Sequence, residues 1–217
     1  MIEGHFIVLE GIDGAGTTTH TRLLSKQLRN QGLPVHATRE PSDGPLGMML
    51  RQILAGRVVV PGIRGSRPPT WTTMALLFAA DRLDHQEAEI VPNLMDGVTV
   101  ICDRYDYSSI AYQSVTAGGT SAAKDWILEL NRHARRPDLT LILDVPAEVA
   151  ARRREYRAAG SELYDDDELQ SQLCKFYQEI DQHFPSDNIA HLDANKPVEE
   201  TAAEILHHVR LLRREVD

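Results

Sequence analysis

The stretch Phe6 to Thr19, FIVLEGIDGAGTTT, constrains the fold more than any other part of the chain. An apolar run, Phe6 to Leu9, stops at Glu10, opens into Gly11-Ile12-Asp13-Gly14-Ala15-Gly16, and leads through Thr17, Thr18 and Thr19 into a helix-like pattern. The order is strand, glycine-rich turn, helix start. Glycines reach positive φ without a Cβ penalty, so successive backbone N–H groups can turn towards one phosphate at the positive end of the helix. The loop is suited to hold a nucleotide. It departs from the pattern G-x-x-x-x-G-K-[ST] at one position, where Thr17 stands in place of lysine.

Further short apolar runs follow at Val35 to Thr38, Val98 to Cys102, Leu139 to Leu143 and, more weakly, Ile189 to Leu192. Glu10, Arg39, Asp103 and Asp144 fall at what would be carboxyl ends of strands. Near-continuous apolar strands alternating with helical patterns predict an α/β fold with a parallel sheet covered on both faces, and such sheets bind ligands at those carboxyl ends. Leu23, Leu24 and Leu28 mark one helix, and Met48, Leu50, Ile53 and Leu54 a second, both expected to pack on the sheet. A long helix is expected from about Thr72 to Ile90, a shorter one around Trp126 to Leu130, and others over Val149 to Ala158, Leu169 to Phe184 and Val198 to Leu212. Gly56 to Thr70, rich in Gly, Pro and Arg, reads as a surface loop rather than a substrate-contacting flap. With no repeat, linker or second hydrophobic core in view, residues 1–217 are expected to form one domain.

A formal charge of -9 argues against a broad nucleic-acid surface, so an anionic ligand would need local arginines. Cys102 and Cys174 are the only cysteines, which suggests neither a disulfide framework nor a thiolate metal site, and a reducing cytoplasm is the expected home. No signal-like or membrane-length apolar run is present, so a soluble, unprocessed protein is expected.

Several clusters carry chemistry. Thr18 stands where the hydroxyl of such a loop ligates Mg²⁺, and Asp13 puts a carboxylate beside phosphates, where it needs a metal or hydroxyl partner. Thr38-Arg39-Glu40-Pro41 is followed by Arg51. In Leu77-Phe78-Ala79-Ala80-Asp81-Arg82, Phe78 and Arg82 share a helix face, and an aromatic with a guanidinium one turn away can stack on a base and bond its edge. Asp103-Arg104-Tyr105 leads into Asp106-Tyr107-Ser108-Ser109-Ile110-Ala111-Tyr112-Gln113. The Arg104 fork suits phosphate oxygens, the plainer alternative being an ion pair with Asp103.

These blocks, FIVLEGIDGAG-TT, TREP, LLFAADR, DRYDYSSIAYQ and the late HLDANKPVEE, resemble in order and spacing those of the thymidylate kinase (dTMP kinase) family, from Phe6 to the last helix. The resemblance implies a P-loop NTPase-type five-stranded parallel sheet sandwiched between helices. It also implies a homodimer that transfers the γ-phosphate of ATP to dTMP with Mg²⁺, giving dTDP for deoxynucleotide synthesis. It puts Gly11 to Thr18 on ATP phosphates and Asp193 in an adenine-side loop. Around dTMP it puts Glu40, Arg51, Phe78, Arg82, Arg104, Ser108, Ser109, Tyr112 and Gln113. Phe78 would stack on thymine, with Arg82 and Gln113 near the base edge. Arg51 and Arg104 would hold the acceptor phosphate, Asp13 would stand by the 3′-hydroxyl or the metal, and Tyr112 would disfavour a 2′-hydroxyl. Thr18 and Asp13 are the implied metal residues.

A segment at about 147–167 resembles the family's lid. It carries Arg152, Arg153, Arg154 and Arg157, of which Arg153 and Arg157, with Asp13 and Arg104, are the candidate catalytic residues. The stretch GSELYDDDE departs from the family's pattern by placing Tyr164 and Asp165 where an Asp-Arg pair is usual. The alternatives are a nucleotide-binding homologue with lost or weak transfer activity, motivated by Thr17, and a deoxynucleoside kinase, against which Arg51, Arg82 and Arg104 argue. The expected partners are small nucleotides, with no nucleic acid and no membrane.

Overall fold

A computed structural model describes residues 4–63, 65–156, 163–164 and 166–214. Five parallel strands form one sheet: β1 (Phe6–Glu10), β2 (Val35–Arg39), β3 (Thr99–Asp103), β4 (Leu139–Asp144) and β5 (Ile189–Asp193), in the order β2-β3-β1-β4-β5. Every residue of β1 and β3 is buried, whereas β2 and β5 lie at the edges and are partly exposed. That explains why the β5 run is the weakest in the sequence: an edge strand has less apolar surface to hide.

The helices are α1 (Thr17–Asn30), α2 (Pro45–Leu54), α3 (Trp71–His85), α4 (Val91–Met95), α5 (Asp106–Thr116), α6 (Ser121–Leu130), α7 (Ala147–Glu155), α8 (Asp167–Gln178), α9 (Ile180–His183) and α10 (Val198–Arg214). Ile7, Leu9 and Ile101 face a core built with Leu24 and Leu28 of α1, Ile110 of α5, Leu173 of α8 and Val209 of α10. Alternate residues Phe6, Val8, Val100 and Cys102 face the opposite side, against Ile90 and Leu94. This period-2 split of continuous apolar strands is what a sheet buried on both faces requires.

Four expectations need correction. The helix α5 was not anticipated, because it is buried on nearly all sides and so lacks the polar stripe that makes a helix readable. The helix α2 packs on α3 rather than on the sheet: Leu50, Ile53 and Met74 form a separate cluster joined by Leu54, Leu77 and Phe78, while Met48 stays exposed. The long helix after Thr72 ends its α-helical part at His85 and continues as a π-helical turn over Gln86–Ile90 before α4. The stretch Leu169 to Phe184 breaks at Glu179, which lets both Tyr177 and Ile180 enter the core. Among the described residues of 56–70 the regular pairing is an isolated bridge between Val60 and Arg67, with Ile63 fully exposed. No helix among the described residues is long and apolar enough to cross a membrane.

Candidate active site

The strand β1 delivers its carboxyl end to the glycine loop, and α1 starts at once. Gly14 (φ 94°) and Gly16 (φ 102°) adopt the left-handed region. A Cβ on Gly14 would also sit 2.5 Å from the Ala150 carbonyl oxygen, so α7 rests directly on the loop. Ile12 and Ala15 turn into the core, and Thr17 is buried. The first turn of α1 has no side-chain cap and no acidic residue, which leaves its N–H groups and dipole available to an anion.

Three of the strand ends converge on this loop. Glu10, wholly buried, accepts from the backbone N–H groups of Tyr105 and Ser108 and from the hydroxyls of Ser108 and Tyr177. Burial raises its pKa above the usual carboxylate range, against the charge of Arg104 and these hydrogen bonds. Glu10 thereby fixes the turn in which Arg104 adopts φ 68°, a strained backbone for a residue with a side chain. The Arg104 guanidinium donates to the Gly11 carbonyl (2.7 Å), to Ser108 Oγ (3.0 Å) and to Asp13 Oδ1 (2.6 Å). Arg104 therefore pairs with Asp13 across the site, not with the neighbouring Asp103.

Asp103 instead accepts from the Thr18 hydroxyl, and its other oxygen, Oδ1, is buried without a partner among the described residues. Sequence reasoning placed Thr18 with Asp13 as a metal pair. In the structure the Asp13 carboxylate is engaged by Arg104 and by Gln170 Nε2 (3.0 Å), whose Oε1 also accepts the Asp13 backbone N–H (3.1 Å). Gln170, fully buried, was missed, since a lone Gln in a polar helix start carries no signal of its own. Asp103 could have been found from its position at the end of a central strand.

One cavity of about 540 Å³ borders this loop. Asp13, Thr18, Glu40, Arg51, Phe78, Arg82, Asp103, Arg104, Ser108, Ser109, Tyr112 and Gln113 all line it, together with Tyr164. Its size is that of a small-molecule site. Arg82 is almost completely buried and donates to Glu40 Oε2 (2.7 Å), to the Tyr105 carbonyl (3.0 Å), to Ser109 Oγ (2.9 Å) and to Asn131. Burial opposes its charge, but Glu40 and Asp106 more than offset this and raise its pKa. The hydroxyls of Ser108 and Ser109 thus hold arginines. Arg51 spans the loop after β2, donating to the carbonyls of Pro41 (2.6 Å) and Ser42 and to Asp43. Tyr112 lies under the Arg104 guanidinium and packs edge-on against Tyr164, and Gln113 Nε2 is 3.5 Å from the Tyr164 hydroxyl. Gln113 Oε1 and Arg82 Nε are buried without partners among the described residues.

On the other side of the loop, Arg153 donates to the Ala194 carbonyl (2.9 Å) and, at 3.5 Å, to that of Gly14. Arg154 donates to the Asp13 carbonyl (2.9 Å) and to Asp167 (2.7 Å), while Arg152 is exposed. Asp193 caps its own turn by accepting the Asn195 N–H (2.9 Å). Arg157 and Asp165 lie outside the described residues.

The sequence model of the thymidylate kinase family matches residues 9–205. A protein of Pyrococcus horikoshii described as "Probable thymidylate kinase" is 38% identical over 209 residues, covering 96% of this chain and 97% of that protein. A "Thymidylate kinase" of Thermomicrobium roseum is 42% identical over 168 residues, covering 76% of this chain and 74% of its own. Together with the five-stranded parallel sheet and the glycine loop at its centre, these matches decide the family: the chain belongs to the thymidylate kinases.

Proposed function

We propose that this protein phosphorylates dTMP to dTDP with ATP. The observation that carries the proposal is the cavity beside the glycine loop, where an aromatic face, an amide and a set of arginines meet Asp13 and Thr18. Phe78 offers a stacking surface for a base. Gln113 Oε1 and Arg82 Nε are an acceptor and a donor without partners among the described residues, which complements a pyrimidine edge with an N–H beside carbonyl oxygens. Arg104 and Arg51 supply the fixed positive charge that a phosphomonoester needs, and Tyr112 with Tyr164 narrows the sugar side.

The acceptor phosphate is already anionic, so the chain has little base catalysis to perform. Its residues hold two polyanions in line and offset their repulsion. Thr18 Oγ1 and the unpartnered Asp103 Oδ1 are the oxygens that fit Mg²⁺, an ion that usually takes one or two carboxylates plus substrate phosphates. When bound, that ion would neutralise β- and γ-phosphate charge. Thr17 cannot supply the mobile charge of a lysine. Arg153 and Arg154, already resting on the carbonyls of the loop, are the substitutes that this reading assigns. Residues 1–217 then work as one unit, with 147–167 as the lid and 56–70 as a surface loop. We further propose a cytoplasmic homodimer, which the exposed Met48, Met49 and Leu76 on α2 and α3 support.

A coupled ADP-release assay with Mg·ATP tests the proposal. Turnover with dTMP well above that with thymidine is expected. Binding of both nucleotides without turnover would overturn it in favour of a binding protein, and a preference for thymidine would favour a deoxynucleoside kinase.

A further inference from the structure

Behind the wall of the cavity runs a chain of ionisable groups that the reaction itself does not use. Glu40, which holds Arg82 through Oε2, receives His85 Nδ1 on Oε1 at 3.3 Å. His85 Nε2 lies 2.7 Å from Thr38 Oγ1 and 3.5 Å from Glu89 Oε2, and Glu89 is hydrogen-bonded to His36 at the sheet edge. The His85 side chain is wholly buried, whereas Glu89 and His36 are each about one-third exposed. The π-helical turn Gln86–Ile90 follows His85 immediately and carries Glu89, an interruption of a kind found often at functional sites.

We propose that His85 is a positioning residue of the acceptor site: as an imidazolium it ties Glu40, and through it Arg82, to Glu89 and β2, so that affinity for the acceptor falls when His85 loses its proton. This rests on the dTMP reading of the cavity. The acidic groups facing His85 are Glu40 and Asp43 from the loop after β2, Glu89 from the π turn, and Asp81 from its own helix, and two of these carboxylates are shared with basic groups, Glu40 with Arg82 and Glu89 with His36. Burial opposes the charge, but the hydrogen bond and charge of Glu40, with Glu89 and Asp81, prevail and raise the pKa above the ordinary value.

The tautomers explain the consequence. The cation donates from Nδ1 to Glu40 and from Nε2 to Thr38, leaving the Thr38 hydroxyl to donate to Glu89. A neutral ring has one N–H. With the proton on Nε2, a lone pair faces the Glu40 carboxylate. With the proton on Nδ1, Thr38 must donate to the ring and abandons Glu89. Either way one link is lost, and Arg82 sits on a less firmly held carboxylate.

The test measures kcat and both KM values from about pH 6 to about pH 10 for the native protein, His85→Gln and Glu89→Gln. The acceptor's own phosphate titrates at a pKa of ~6, but equally for all three. In the native protein KM for dTMP should rise roughly fivefold through the His85 pKa while kcat and KM for ATP hold. His85→Gln should flatten that rise, and Glu89→Gln should move it to lower pH. Profiles that superimpose would overturn the proposal, as would a variant that loses only thermal stability and kcat. Nitrogen NMR of the His85 ring in the ligand-free protein gives a readout independent of the acceptor. A pKa above the ordinary histidine value supports the relay, and one at or below it overturns the relay. Absence of any dTMP turnover would overturn the acceptor reading instead, and the NMR titration alone would then decide the relay.

Discussion

Arginines serve both halves of the site, but they are held in opposite ways. Arg82 and Arg104 bind carboxylates, hydroxyls and carbonyls contributed by the glycine loop, the loop after β2, the turn after β3, α5 and the segment after α6, and both are largely buried. Arg153 and Arg154 come from one helix and touch mainly backbone carbonyls of the glycine loop and of the turn after β5. The acceptor side therefore has its charge built into the core. On the proposed reading the donor side borrows charge from α7, which lies within the segment that the resemblance identifies as a lid. A missing lysine is then offset in the second arrangement, where a guanidinium would approach the phosphates without rebuilding the core.

Removing Arg104 should test the built-in half most severely. Arg104→Ala is expected to lower turnover by roughly 10³-fold with the far-ultraviolet circular dichroism retained, and unchanged turnover would remove Arg104 from the site. Next in size is the borrowed half. Arg153→Ala should cost about 10²-fold in kcat while leaving KM for dTMP alone, and adding Thr17→Lys to that variant should recover about tenfold. If Thr17→Lys instead raises the native activity greatly and Arg153→Ala does nothing, the loop is crippled rather than compensated.

The satellite core offers a third contrast. Leu50→Ala removes packing beneath Phe78 and should cost about 2–5 kcal/mol in chemical denaturation, raising KM for dTMP more than KM for ATP. Equal effects on both would mean that α2 supports the whole fold rather than the acceptor wall.

The smallest effect is expected on the donor side, at His191 and Asp144. The hydrogen bond from His191 to Asp144 raises the pKa of His191 above the ordinary imidazole value, against partial burial. A raised folded pKa means that the added stability is fully present below the unfolded pKa and is lost as pH rises through the folded one. Exposure of about one-third of each side chain limits it to less than about 1 kcal/mol. The melting-temperature gap between the native protein and Asp144→Asn should accordingly be widest in mild acid and close on the alkaline side. A gap that does not narrow would assign Asp144 a role unconnected with His191.

The sequence made the acceptor side more legible than its support. Phe78, Arg82, Arg104, Tyr112 and Gln113 were all marked by blocks, and the structure gathers them on one cavity. What holds them was less legible: Glu10, under the Arg104 turn, was marked only as a strand end, and His85 behind Glu40 and Gln170 on Asp13 were not marked. These are single polar residues whose importance lies in a partner far along the chain, and periodicity carries no trace of such a partner. The α2 stripe was legible as a helix face, but not its target, because an apolar stripe fits a neighbouring helix as well as a sheet.

By itself the sequence determined the elements whose causes are local. Apolar runs ending in charges set the strands, and glycines at positive φ set the loop that joins β1 to α1. The blocks gave the family. Only the tertiary structure decided that Thr18 meets Asp103, 85 residues away, and that Gln170 clamps Asp13 across 157. It alone turned Arg104 towards Asp13 rather than its neighbour. The physical reason is the same in each case: a buried polar group must find a partner, and the parallel sheet, by bringing the ends of distant strands to one edge, decides which partner is there.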